Sequence, residues 1–81
     1  MLDPRLVETF SRVLDVDPSA VNGDTSPASL PKWDSVAHIN LIFELEDAFE
    51  IRFASDEIPS LNTVARLQAA IDGHRRASGE P

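Results

Sequence analysis

Asp34-Ser35-Val36-Ala37-His38-Ile39-Asn40-Leu41-Ile42-Phe43-Glu44-Leu45-Glu46-Asp47-Ala48-Phe49 contains neither glycine nor proline, and Asp34 stands where a helix N-cap belongs. Its spacing predicts a helix from Ser35 to Glu50. At 100° per residue Ile39, Ile42, Leu45 and Phe49 form one apolar stripe, broadened by Leu41, and this face is expected to meet the core. Val36 and Phe43 fall on a second stripe, roughly 60° or more away, with Asn40, Asp47 and Glu50 close to it. An aliphatic and aromatic pair edged by carboxylates is unfavourable in water, so this stripe is either a recognition face or packs under a neighbouring loop.

Upstream of the helix, residues 15–34 are rich in Pro, Ser, Asp, Asn and Gly, with Pro18, Gly23, Pro27 and Pro31 as breakers. A connection beyond about 12–15 residues is uncommon in a compact domain and is often functional, which directs attention to its end at Trp33-Asp34-Ser35. Leu30 and Trp33 are expected to anchor it. Before the loop, Asp3 and Pro4 make an N-cap and a first helical position, and Leu6, Val7, Phe10, Val13 and Leu14 give one amphipathic face. After the central helix, Ile51 and Phe53 read as buried anchors. Ser55 caps a short helical turn, Asp56-Glu57-Ile58, cut off by Pro59. Asn62 then caps a last helix carrying Val64, Leu67 and Ile71 and ending near Gly73, with a polar, frayed stretch from His74 onward. The expected fold is all-α, a four-helix bundle of three main helices and one short one, with the long loop between helices one and two. A single domain over residues 1–76 is followed by a flexible tail, 77–81.

Composition narrows the function. With 81 residues, 42% of them hydrophobic, there is one small core. Seven basic against 14 acidic residues, net charge −7, disfavour nucleic acid and anionic membranes and favour partners with basic patches. No run of about 18 apolar residues exists to span a bilayer, and the N-terminus lacks the layout of a signal peptide, so the protein is expected to stay in the cytoplasm; a monomer is expected. There is no cysteine, so any thiol chemistry must come from an attached group.

Two chemistries are weighed at the helix start. His38 lies three residues after Ser35, a helical spacing that invites a hydrolase reading. Acyl transfer also needs an orienting group and an oxyanion hole in a desolvated pocket, for which a small bundle has little room. No catalytic residues are therefore assigned. Metal binding fares no better: Asp15, Asp17 and Asp24 lack calcium-loop spacing, and His38 and His74 lack a third ligand. Asp34-Ser35, taken alone, reads more readily as a plain cap than as a functional site, which leaves open a helical adaptor that only binds proteins.

Trp33-Asp34-Ser35-Val36, the acidic and apolar helix behind it and its end, Leu45-Glu46-Asp47-Ala48-Phe49, resemble the acyl and peptidyl carrier protein family, with Val36 in place of the commoner leucine. The likeness runs from the first helix to the last. It implies a non-catalytic carrier. A phosphopantetheinyl transferase would move 4'-phosphopantetheine from coenzyme A to Ser35, and the arm would hold acyl or aminoacyl groups as thioesters. It further implies partner contacts at Asp34, Val36, Phe43 and Asp47, extended by Asp56, Glu57 and Ile58. A loading ligase and downstream synthases or transferases with basic docking patches would be the partners. A serine at a helix start lies near N–H donors that favour a phosphate, in agreement. The Trp33-Asp34-Ser35 form with His38 looks like stand-alone carriers of specialised pathways and leans toward amino acid or hydroxy acid cargo. Fatty acid, polyketide and nonribosomal peptide roles would leave almost the same sequence.

Overall fold

A computed structural model describes residues 2–77. Its helices are α1 (Pro4–Leu14), α2 (Ser35–Phe49) and α3 (Val64–Ala77), with single 3-10 turns at Pro18–Ala20 and Ile58–Ser60; the described residues contain no strand. The architecture is all-α, and the expected fourth helix is only a 3-10 turn. It begins at Ile58, later than expected, with Pro59 inside its first turn, where the missing N–H is harmless.

Asp3 caps α1 by accepting a hydrogen bond from the Arg5 N–H at 2.8 Å. Both α1 and α2 end in the same way, on a residue in the left-handed region, Asp15 (φ 54°) and Glu50 (φ 54°). The next residue then donates its N–H back to the helix, Val16 to the Ser11 carbonyl and Ile51 to the Glu46 carbonyl. This is the Schellman arrangement, and its following apolar residue turns inward: Ile51 is buried and Val16 packs against the core.

The core is built from Leu6, Phe10 and Leu14 of α1, Leu41, Ile42, Leu45 and Phe49 of α2, and Val64, Leu67 and Ile71 of α3. Trp33, Ile51, Phe53 and Leu61 close its ends from the connections. Ile39 departs from expectation: it is 46% exposed and lies outside the core. Leu41, Ile42, Leu45 and Phe49 set an inward direction centred on the His38 position, and Ile39 points roughly 100° away from it, nearer to Phe43.

The long loop is stitched down. Asp17 caps the first 3-10 turn, accepting from the Ser19 N–H and hydroxyl. Buried Thr25 accepts from the Asn22 N–H at 3.0 Å. Loop carbonyls also serve α3, since Val64 N–H donates to the Thr25 carbonyl and Ala65 N–H to that of Gly23. The first turn of a helix leaves such donors without intrahelical partners, and the loop supplies them. The next donor, Arg66 N–H, goes to Thr63 Oγ1 at 3.1 Å, so Thr63 and not Asn62 is the cap.

The last helix runs past Gly73 to Ala77. Gly73 can stop a helix only by taking a left-handed conformation, and here it stays helical because the following turn is held. His74 pairs with Glu57 and packs edge-on against Phe53 at 5.4 Å, while Arg75 reaches Asp3 at 3.6 Å. Residue 77 of the expected tail is thus helical, and residues 78–81 lie outside the described residues. Among the described residues no helix is long and apolar enough to cross a membrane.

Candidate functional site at the start of the second helix

Asp34 sits in extended conformation (φ −95°, ψ −175°), and its carboxylate accepts from the Ala37 N–H at 2.8 Å while its carbonyl accepts from the His38 N–H. That cap fixes Ser35 as the first helical residue, exposed to solvent. The Ser35 and Val36 N–H groups lie ahead of any intrahelical acceptor and carry the positive end of the helix dipole. A phosphate monoester or diester on Ser35 would meet favourable electrostatics there, so the residues present fit an anionic group.

The neighbours of Ser35 are held by an aromatic and imidazole relay. Trp33 is 2% exposed, and its indole meets Phe10 edge-on with centroids 5.1 Å apart. Its Nε1–H donates to His38 Nδ1 at 2.9 Å, and His38 Nε2 lies 2.9 Å from the Ile58 carbonyl oxygen. An indole N–H can only donate and a carbonyl can only accept, so the His38 ring is neutral with its proton on Nε2. Both ring nitrogens are occupied by structural partners. His38 has no lone pair to turn toward Ser35, which removes the hydrolase reading. Trp33, Asp34, Ser35, His38, Pro59 and Asn62 border a cleft of ≈ 320 Å³ beside the serine.

Along α2 the exposed stripe is longer than expected. Val36 (69% exposed) and Phe43 (63%) are joined by Ile39. Ile39 was missed because its spacing from Ile42 fits the core stripe, although its angle from Phe43 is smaller than its angle from the core centre. Exposed Asp47 and Glu50 border the lower end of the stripe and line a groove with Phe43 and Arg52. The other acids of α2 are engaged: Glu44 with Arg12 at 3.2 Å, and Glu46 as acceptor from the Phe53 N–H at 2.9 Å.

The three expected contact residues beyond α2 differ among themselves. Asp56 is exposed, whereas Ile58 is half-buried against the core. The Glu57 carboxylate turns inward, accepting from the Ala54 N–H and pairing with His74 Nε2. Burial acts to raise its pKa, but the His74 and Ala54 hydrogen bonds and the His74 charge together outweigh burial and leave it lowered. Asp17, in the long loop, is also held below the usual carboxylate range, by the Ser19 N–H and hydroxyl. Among the described residues no group of three or more His, Asp or Glu is placed to hold a metal ion.

Residues 4–71 match the family model described as phosphopantetheine attachment site. Among solved structures, the chain is similar to a holo acyl carrier protein from Geobacter metallireducens, with 32% identity and a TM-score of 0.81 over 94% of this chain and 91% of that one. Comparison with curated proteins gave no match.

Proposed function

Because the chain belongs to the phosphopantetheine attachment-site family, whose domains are non-catalytic acyl carriers bearing a covalent 4'-phosphopantetheine, we propose that Ser35 is the residue that bears the arm. The observation that carries this assignment is the exposed hydroxyl at the first position of α2, next to Asp34 and the helix N–H donors. In the attachment the Ser35 oxygen forms a bond to phosphorus, the nucleotide half of coenzyme A leaves, and the serine proton passes to the modifying enzyme. Once bound, the arm supplies a terminal thiol, and acyl or aminoacyl groups ride on it as thioesters open to attack by partner enzymes. The chain's own part is to orient and present: Asp34 fixes the serine, and α2 offers the surface on which enzymes dock.

That docking surface is Asp34, Val36, Phe43 and Asp47, with Ile39 added between them and exposed Asp56 extending it beyond α2; Glu57, engaged by His74, and Ile58, half-buried against the core, support it from behind. Partners are a phosphopantetheinyl transferase, a loading ligase and downstream synthases or transferases. Their matching surfaces have an apolar pocket for Phe43 and a basic rim for the acids. Intact mass after incubation with a phosphopantetheinyl transferase and coenzyme A tests the attachment. The expected result is one phosphopantetheine added to the wild type and none to Ser35→Ala; a gain that survives the substitution places the arm elsewhere.

A further inference from the structure

We propose that His38 is a gate that keeps the cargo outside the bundle, which suits this carrier to short, polar acyl, hydroxyacyl or aminoacyl groups. The inference rests on Ser35 bearing the arm and goes on to where the arm's cargo resides. His38 lies one helical turn beyond Ser35, at the centre of the inward direction of α2, and its ring spans from Trp33 to the backbone of the Ile58–Ser60 turn. The 2.9 Å bond to the Ile58 carbonyl ties α2 across the seam that separates it from that turn, and the 2.9 Å bond from Trp33 holds the ring in place for it.

The cleft beside Ser35 has Trp33 and His38 on its inner side. Behind them stand Phe10 at 0% exposure, against the indole, and Leu41 and Ile42 at 0% and 2% in the next turn of α2. A chain entering the core from Ser35 at this seam would have to displace the imidazole. That leaves the Trp33 N–H and the Ile58 carbonyl without partners in a half-buried place, where each loses the water that could replace the bond. Burying methylenes favours entry, but only after the seam is open and close-packed side chains have moved. An alkyl cargo therefore stays in water, beside an already exposed Val36 and Ile39. A short polar group incurs no such exposure, and the Ser35, Asp34 and Asn62 edges of the cleft are polar.

The test loads the apo protein through a phosphopantetheinyl transferase with acetyl-, octanoyl- or palmitoyl-coenzyme A, with intact mass first confirming the acylated arm on Ser35. Thermal midpoints and the methyl resonances of Leu41, Ile42, Leu45 and Leu67 are then compared across the three loaded forms. The wild type is expected to give the same midpoint and the same core methyl spectrum whatever the chain length. His38→Ala is expected to acquire a midpoint that rises from acetyl to octanoyl, with core methyls shifted. A wild type that is stabilised by longer chains, with displaced core methyls, overturns the proposal. So does a folded His38→Ala protein without chain-length dependence. Should His38→Ala not fold, the wild-type series alone decides. Absence of any mass gain strikes instead at the attachment to Ser35, a separate failure seen before any chain is compared.

Discussion

At the residue scale, the energetics of the site turn on how few alternatives its polar groups have. The Trp33 N–H and Ile58 carbonyl are both served by one neutral imidazole, so His38→Ala removes two hydrogen bonds and some ring packing at once. A loss of about 1–3 kcal/mol is expected, read as a lower denaturant midpoint with unchanged slope. Glu57 makes a different prediction. Its lowered pKa means that its contribution is fully present above the unfolded-state value and is lost as pH falls through the folded one. Glu57→Gln should flatten the acid side of the stability profile, while at neutral pH it should cost no more than about 1 kcal/mol, the usual worth of a partly exposed polar pairing. Thermal midpoints of both proteins across an acid pH series check this; equal slopes would show that the His74 pairing carries no linkage.

At the element scale, what was legible in the sequence was where helices are obliged to start and which residues their faces must bury. Asp3-Pro4 and Asp34 announce α1 and α2 because capping is a local matter of one side chain and a few N–H groups. Element ends and helix flanks were less legible, since distant residues decide them. Thr63 displaces Asn62 as cap because the loop carbonyls of Gly23 and Thr25 take the two preceding N–H groups and set the register of α3. Ile39 is apolar, yet the inward direction is fixed by Leu41 and Leu45 in partnership with α1 and α3. Gly73 stays helical because Glu57, Phe53 and Asp3 hold the turn that follows. That last case predicts a stabilising change. A Cβ at Gly73 meets nothing within 4 Å, so Gly73→Ala should gain about 0.5–1 kcal/mol by helix propensity alone. Glu50, left-handed at the end of α2, predicts the opposite for a branched side chain: Glu50→Val should cost about 1–2 kcal/mol, and chemical denaturation of the pair measures both signs.

At the scale of the whole molecule, part of the net charge of −7 borders the apolar stripe of α2. Internal partners take up Glu44, Glu46 and Glu57, while Asp34, Asp47 and Glu50 are exposed beside the apolar stripe of Val36, Ile39 and Phe43 and Asp56 is exposed beyond α2. A basic partner approaching this stripe therefore feels long-range attraction from its acids and short-range apolar contact between them. These two contributions separate experimentally because ions screen only the first, over a length of about 10 Å at 0.1 M salt. For arm transfer by a phosphopantetheinyl transferase, kcat/KM is expected to fall on the order of tenfold as salt is raised from low ionic strength to about 0.5 M. Asp47→Asn combined with Glu50→Gln should make that decline shallower and lower the rate chiefly at low salt. Phe43→Ala should lower the rate at every salt concentration and leave the slope alone, because burying the ring is not a Coulombic event. A slope unchanged by the acidic pair would place the attraction instead on Asp34, at the serine end of the stripe, or on Asp56 beyond α2. A flat salt profile in the wild type would mean that the charge serves solubility and that docking is governed by the apolar stripe.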